Sequence, residues 1–581
     1  MTIKTRSMKK LLPAVLLGLM TTSAVRAQDA EIIRVNQVAF YPQQDKIAVV
    51  DNGGKKVTLN VRDAQSGKVV AKAKYLRTSL SPWSGKRRVV MDFSSLKKPG
   101  RYVLECKGQK MPIEIKEHAL TELTQGAIKS YYLNRSGMPI EAQFAGLWAR
   151  PLGHADTHVM VHPSAASPGR PAGTIISSPY GWYDAGDFNK YIVNSAYSVS
   201  LMLSAYEQNK AYFDRLKVDI PEATNQTSDL LDELMYNLKW MLTMQDPYDG
   251  GVYHKLTTPF FEGMVMPAAC QQQRYVVQKS VTASFDFAAV MAQAARIYKG
   301  SKDYPDFAEK AERAALAAYH WAEEHPQALY SQNNMNARFD PDVTTGEYGD
   351  SYAIDEQFWA ATELYLLTED PFFRETAGRL QSEQFLLPAW GGVAALGTLA
   401  WLGCPDDELG KASREQLLDY CKKQVALLPT SGFNTPSGNA AKDFAWGCLA
   451  EAFCVNGIVL MYGYQLTGDK QYLAAAQQNM DYILGRNATG YCYVTGFGTK
   501  SPMHPHHRLS IADGIEAPVP GMLVGGPNPG QQDREASHLT YPSSQPDESY
   551  IDDAGSYASN EIAINWTAAL VALAGWIDAS L

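Results

Sequence analysis

Positive charge is in short supply: Lys and Arg number 53 against 61 Asp and Glu, a net charge of −8 over 581 residues. That leaves no basic footprint for a phosphate backbone and argues against a nucleic-acid partner. Cysteine is sparse as well. Its seven positions, Cys106, Cys270, Cys404, Cys421, Cys448, Cys454 and Cys492, follow no regular spacing and include no C-x-x-C. Neither a disulfide framework nor a zinc ribbon is expected. Buried thiols are expected, with one or two disulfides open after export. Long apolar runs are missing too. The nearest to one, Leu11 to Met20, falls far short of the ~20 residues of a membrane span. Lys4, Arg6, Lys9 and Lys10 precede or enter it, and Val25-Arg26-Ala27 follows with small residues at −3 and −1. Residues 1–27 therefore read as an export signal cut before Gln28. No Cys stands at that cut, so a lipid anchor is not indicated there. The mature protein is expected to be soluble and exported, either periplasmic or secreted. Its oligomeric state is left open.

The composition, 45% hydrophobic and 20% charged, is that of soluble globular domains, and the length calls for two or three of them. Residues 28–117 alternate short apolar runs with turn signals. Segments 32–35, 46–50, 57–61, 88–93, 100–105 and 111–115 read as strands. Asn52-Gly53-Gly54, Gln65-Ser66-Gly67 and Lys98-Pro99-Gly100 punctuate them, which suggests a small β-sandwich. From residue 118 onward the period turns helical. Leu230, Leu234, Leu238 and Met241 share one face, as do Phe287, Val290, Ala294 and Ile297. Ten further segments follow the same pattern: 120–133, 190–208, 303–324, 352–368, 370–386, 390–402, 412–426, 445–466, 470–484 and 559–578. About twelve helices without interposed strands argue against a parallel α/β sheet. The lack of a fixed-period repeat favours a helical barrel over a solenoid. Residues 485–557 lack helical pattern, and a loop that long usually carries function.

Two carboxylates stand three apart in Gly181-Trp182-Tyr183-Asp184-Ala185-Gly186-Asp187-Phe188-Asn189-Lys190-Tyr191. Small residues between them allow close backbone approach, and flanking aromatics suit sugar rings. The pair is expected at a loop-to-helix junction. A lone D-x-x-D is more often an Asx turn or an N-cap, so its weight depends on other sites. The long loop supplies them in His504-Pro505-His506-His507-Arg508 and in Tyr550-Ile551-Asp552-Asp553-Ala554-Gly555-Ser556-Tyr557. The latter runs into Ala558-Ser559-Asn560-Glu561-Ile562-Ala563-Ile564-Asn565-Trp566.

These three segments, in this order, resemble the signature regions of glycoside hydrolase family 9. Arg34-Val35-Asn36-Gln37-Val38-Ala39-Phe40 resembles the start of the immunoglobulin-like domain that precedes many of its catalytic domains. The resemblance implies an Ig-like β-sandwich over 28–117 followed by an all-α (α/α)6 barrel over 118–581, hydrolysing β-1,4-glucans with inversion. It implies Asp187 as the base that activates water, Asp184 as a second holder of that water, and Glu561 as the acid. His506 and Arg508 would bind sugar hydroxyls, and Asp552 and Tyr557 would support the site. Inversion needs the two carboxyls ~6.5–9.5 Å apart, with water between. Glu561, placed at the start of an apolar helix, must be kept protonated by burial against the pull of the helix terminus.

Many relatives with this amino-terminal domain carry a structural zinc on two Cys and two His. The matching positions here are Ser136, Gly153, His154 and Tyr183, so zinc is expected to be absent. Asp355-Glu356, after Gly349-Asp350-Ser351-Tyr352, resembles the family's calcium segment, although its later acidic ligand is missing near Trp390-Gly391-Gly392. No cofactor is needed for the chemistry. The leading expectation is an endo-β-1,4-glucanase (cellulase) acting on a glucan poly- or oligosaccharide. The alternatives are an exo-acting β-glucosidase or glucosaminidase of the same family and a catalytically silent glycan-binding protein. Which glucan is preferred is not legible. Trp240, Trp359 and Trp401, on apolar helical faces, are read as core.

Overall fold

The computed structural model describes residues 32–581; the export signal expected over 1–27 lies outside them. Eight strands come first: β1 (Ile33–Arg34), β2 (Ile47–Asp51), β3 (Asn60–Asp63), β4 (Val69–Lys72), β5 (Lys74–Leu80), β6 (Arg87–Asp92), β7 (Gly100–Cys106) and β8 (Gln109–Ile115). They form two four-stranded sheets, ordered β1-β2-β6-β5 and β4-β3-β7-β8. Val50, Val89 and Met91 from one sheet share a core with Val61, Leu104 and Ile113 from the other. The sequence pattern did not reveal β4 and β5. Both are largely exposed and carry Lys and Arg, so neither shows the alternation that burial on one side imposes.

Strand β2 reads Ile-Ala-Val-Val because both of its faces are covered. Ala48 and Val50 point into the sheets' own core, while Ile47 and Val49 join the core of the helical domain. Polar contacts reinforce this junction. Asn36 Nδ2 donates to Asp481 at 2.7 Å, Trp83 Nε1 to Asp547 at 2.6 Å, and Arg88 pairs with Glu548 at 3.0 Å.

Twelve helices of seven residues or more follow among the described residues: α1 (Thr121–Leu133), α2 (Ile192–Gln208), α3 (Asp229–Thr243), α4 (Val281–Tyr298), α5 (Phe307–Glu324), α6 (Ile354–Thr368), α7 (Pro371–Leu380), α8 (Ala394–Ala400), α9 (Glu408–Val425), α10 (Asn456–Thr467), α11 (Lys470–Ile483) and α12 (Ile564–Ala579). Helices α2, α4 and α12 are the most deeply buried. In α12 only Ala579 escapes full burial, and α4 exposes little beyond Arg296 and Ile297. Odd-numbered helices such as α5 and α9 keep one charged face in water. Helix α2 lies between α12 and α4, α6 packs on α4, and α8 packs on α6. All seven cysteines are free thiols.

Three departures from the sequence reading matter for the site. The stretch expected to run as one helix over 445–466 opens with a π-helical turn, Leu449–Val455, before α10. A small sheet also stands inside the helical domain: β9 (Val159–Val161), β10 (Ile175–Ile176), β11 (Lys190–Tyr191), β12 (Lys255–Thr257) and β13 (Tyr275–Val276). Its strands of two or three residues are too short to show a period. Finally, α12 begins at Ile564 rather than near 559. Glu561 instead pairs with His506 and Ile562 with Val524 in isolated bridges. The helix terminus therefore does not oppose protonation of Glu561 as expected.

Candidate active site

Strand β11 pairs with β12 and leads directly into α2, so the loop before it is anchored at a sheet edge and a helix start. Gly186, in that loop, is where the three signature segments meet. Its N–H donates to Glu561 Oε1 at 3.2 Å, and its carbonyl accepts from the Arg508 backbone N–H at 3.1 Å and from Arg508 Nη1 at 2.7 Å. A Cβ at this position would fall 2.4 Å from the His506 carbonyl oxygen and 3.0 Å from Glu561 Oε1. Only glycine fits. A second tie runs from the Ile564 N–H to the Asp184 carbonyl at 2.8 Å.

The two aspartates are held by different donors. Asp184 accepts from Asn194 Nδ2 at 2.8 Å and from the Tyr348 hydroxyl at 2.7 Å. Tyr348 reaches it from a left-handed backbone (φ 48), a conformation that costs of order 1 kcal/mol or more and clusters at functional sites. Asp187 accepts from Asn189 Nδ2 at 2.5 Å and the Tyr191 hydroxyl at 3.1 Å. His506 Nδ1 bonds the Ala554 carbonyl at 2.7 Å. A carbonyl only accepts, so Nδ1 carries the proton and Nε2 is left as an acceptor.

Burial sets the electrostatics. Asp184 is pushed up to about 8, first by desolvation and then by the charge of Asp187. Glu561 is driven well above the usual carboxylate range by the same two causes; the Gly186 N–H, and more weakly Arg508, pull it back. Desolvation lowers His506 and favours the neutral ring. One region thus holds a carboxyl kept protonated beside a hydrogen-bonded aspartate pair, the division of labour that acid–base hydrolysis needs.

Asp184, Asp187, His506, Arg508, Tyr557 and Glu561 all line one cavity of about 810 Å³. Asp552 does not. Its carboxylate accepts from the backbone N–H groups of Met503 and His504, both at 2.9 Å, and from Asn560 Nδ2 at 3.1 Å. It clamps the histidine loop to the segment that carries Glu561. Asp355 and Glu356 lie elsewhere, on α6. Trp240, Trp359 and Trp401 are fully buried core. Other walls of the cavity include Phe261, Tyr348, Trp390, Trp446, Glu451 and Trp566, none of which the sequence reading gave a role in the site. Trp446 stands in Phe444-Ala445-Trp446-Gly447, which resembles an ordinary turn, and Trp566 stands in the first turn of an apolar helix.

Two metal questions can be tested against the side chains. Both carboxylate oxygens of Asp286 and Glu356 and Oδ1 of Asp355 are buried without a hydrogen-bond partner; Asp355 Oδ2 takes the Val393 N–H at 2.8 Å. Desolvation, then repulsion from neighbouring carboxylates, drives Asp286 and Glu356 well above their ordinary values. Five orphaned hard oxygens are the donor type a calcium ion takes, although these acids do not already bring three ligand atoms within 4.8 Å of one another; Asp286 on α4 is an acid that the sequence reading did not count.

The zinc positions do not fit. His154 Nδ1 bonds the Tyr183 hydroxyl at 2.9 Å, Ser136 is occupied by Lys190 at 3.3 Å, and position 153 is glycine. Beyond the ring's other edge, where Nε2 lacks a partner, Glu262 and Cys270 offer atoms within 4.8 Å. Burial, then Arg274, Lys190 and Arg150, pushes His154 down to about 2. That positive surround opposes a dication as well as a proton.

Residues 121–574 match the family model of Glycosyl hydrolase family 9, and residues 28–111 that of the Cellulase N-terminal ig-like domain. The chain is 56% identical over 557 residues to the Xyloglucan-specific endo-beta-1,4-glucanase BoGH9A of Bacteroides ovatus, covering 94% of each. Endoglucanase D of Acetivibrio thermocellus is 30% identical over 562 residues, 94% of this chain and 83% of that one. Among solved structures, Bacteroides ovatus GH9 superposes with a TM-score of 0.90 at 54% identity, over 94% of this chain and 99% of that one.

Proposed function

The chain belongs to glycosyl hydrolase family 9, and from that premise we propose that it is an exported, inverting endo-β-1,4-glucanase whose substrate is xyloglucan. Asp187 takes a proton from water as that water attacks the anomeric carbon. Asp184 holds the same water. Glu561 gives its proton to the leaving glycosidic oxygen on the opposite face of the ring. The C–O bond breaks, one hydrogen from water ends on Asp187 and the other stays on the new hydroxyl, and exchange with solvent resets both carboxyls. His506 and Arg508 bind hydroxyls beside the cleaved bond, Tyr557 supports the sugar from the wall, and Asp552 positions the loop. The twelve helices, with α2, α4 and α12 packed at the centre, are read as the family's (α/α)6 barrel. Calcium sits between α4 and α6, and zinc is absent.

The observation that carries the reading is the convergence at Gly186, which puts the base motif against the Glu561 carboxyl at 3.2 Å. The choice of xyloglucan leans on the name of the Bacteroides ovatus relative. Product analysis on xyloglucan, mixed-linkage glucan and cellulose tests both points, with Asp187→Ala and Glu561→Ala as controls. The expected result is a fall in xyloglucan viscosity without early monosaccharide. Release from chain ends would favour an exo enzyme, and binding without cleavage would favour a silent glycan binder.

A further inference from the structure

Two carboxyls that line the cleft have no part in the chemistry above: Glu347, whose Oε1 already accepts the Gln332 N–H at 2.8 Å, and Glu451. Glu451 lines the same cavity as Asp184, Asp187 and Glu561. It sits on the π-helical turn Leu449–Val455, whose other side chains are apolar apart from Cys454. An acid in such a run has no place in a core. The wider π turn is rare and is frequently found at functional sites, because it adds a residue and turns side chains that a regular helix would not present.

The turn is tied to the general-acid segment. The Leu449 N–H donates to the Gly525 carbonyl at 3.2 Å, and the Gly525 N–H donates to the Glu561 carbonyl at 3.0 Å. At Gly447 a Cβ would lie 2.5 Å from Trp566 Nε1, so the chain entering the turn lies flat against a cleft aromatic. Trp446, 40% exposed, stands 5.5 Å from the Tyr557 ring. Glu451 is thus set beside aromatic walls, close in the fold to the residue that protonates the leaving group.

Its surroundings offer no counter-charge. Tyr197 and Cys448 are the ionisable groups that feel its charge, and both are buried and neutral. Burial alone pushes Glu451 up to about 7, so near neutrality it can donate as well as accept. Its oxygens are absent from the sealed, unpartnered atoms of the interior, and the residue is partly exposed to the cavity it lines. A carboxyl desolvated by protein yet open to a cleft is poorly hydrated and poorly paired. A ligand hydroxyl would remedy both.

We propose that Glu451 is a substrate-binding residue, hydrogen-bonding a hydroxyl of a backbone glucosyl unit that stacks beside Trp446. The assignment rests on the glucanase reading and adds to it a polar contact that fixes the register of the glucan chain in the cleft. Shape and stacking alone would let a polymer of repeating rings slide; a buried hydroxyl contact favours one register, because a misplaced unit leaves the carboxyl unmatched.

The test compares Glu451→Leu with Glu451→Gln. KM and kcat are measured on xyloglucan oligosaccharides, and Kd by calorimetry on the same oligosaccharides with each substitution placed in an Asp187→Ala background. The Leu variant should raise both KM and Kd about tenfold, while the Gln variant, which still donates and accepts, should stay within about threefold of the parent. Thermal unfolding should be no easier in either variant, since a poorly solvated acid has been removed. Unchanged KM and Kd in the Leu variant would overturn the proposal. So would equal losses in both variants accompanied by a lower Tm, which would mark a structural role. If the wild-type chain cleaves no glucan, the hydrolase reading fails, and the Kd comparison still decides for or against Glu451.

Discussion

Two groups of buried carboxyls in the helical domain share one electrostatic problem and differ in how it is solved. In the cleft, both oxygens of Asp184 are matched, by Asn194 and Tyr348, Oδ2 of Asp187 takes Asn189 and Tyr191, and a cavity gives solvent and substrate access. Between α4 and α6, Asp286, Asp355 and Glu356 hold oxygens that nothing in the protein matches. Both groups set like charges close together, and each contains carboxyls that burial raises: Asp184 in the cleft, Asp286 and Glu356 between the helices. A raised carboxyl therefore does not by itself mark an active site. Donors plus access point to proton transfer, whereas orphaned oxygens without donors point to a cation.

Several substitutions and conditions would break or sharpen this contrast. The largest effect is expected in the cleft: Asp187→Ala or Glu561→Ala should lower kcat by about 10²- to 10⁴-fold with unfolding temperature little changed. A loss of activity that tracks loss of fold would remove the distinction between the groups. Next comes the α4–α6 group. Chelation of calcium, or Asp286→Ala, should lower Tm by several degrees, because binding to the native state alone contributes about 2.7 kcal/mol at a hundredfold excess over Kd. Calcium added back should restore Tm in the wild type and not in the variant. A Tm indifferent to both would leave these acids as merely protonated.

A smaller effect of opposite sign is expected at Asp184. Its folded value of about 8 lies above the ordinary value of 3.8, so the native state prefers the protonated form. The group's favourable contribution is complete below pH 4 and is lost progressively as pH rises to about 8. At pH 7, Asp184→Asn should raise Tm by a few degrees while abolishing most activity, a stability–activity exchange common at active sites. Destabilisation would mean that the aspartate is already satisfied as an anion. The mildest test is the rate profile. Glu561 must be protonated to act and is raised, so the alkaline limb should report a group well above ordinary glutamate. A limb near 4.5 would contradict that.

Much of this arrangement could be read from the chain alone. Glycine between the two aspartates marked close approach, and the structure places the His506 carbonyl and Glu561 where a Cβ would go. The twelve helical segments stood out because long amphipathic or wholly apolar runs carry a strong period. Short elements did not stand out: β11 and β12 position the base loop, yet two or three residues show no period. The environment of Glu561 was misread for a related reason. Bridges to His506 and Val524 hold the segment extended, and such pairing depends on loop residues far upstream in the chain. Phe261, Tyr348, Trp390 and Trp446 were illegible as cavity walls because they come from separate loops. Asp286 and Glu451 did leave a signal, each an isolated acid inside an apolar helical run.

The central claim is that Asp187 and Glu561 act from opposite faces of one glycosidic bond with water between them. Proton NMR of freshly released product tests it most directly. Cleavage of a β-linked glucan should yield the α-anomer first, relaxing to the equilibrium mixture by mutarotation. Initial appearance of the β-anomer would mean retention through a covalent intermediate and would contradict the assignment of Asp187 as a base.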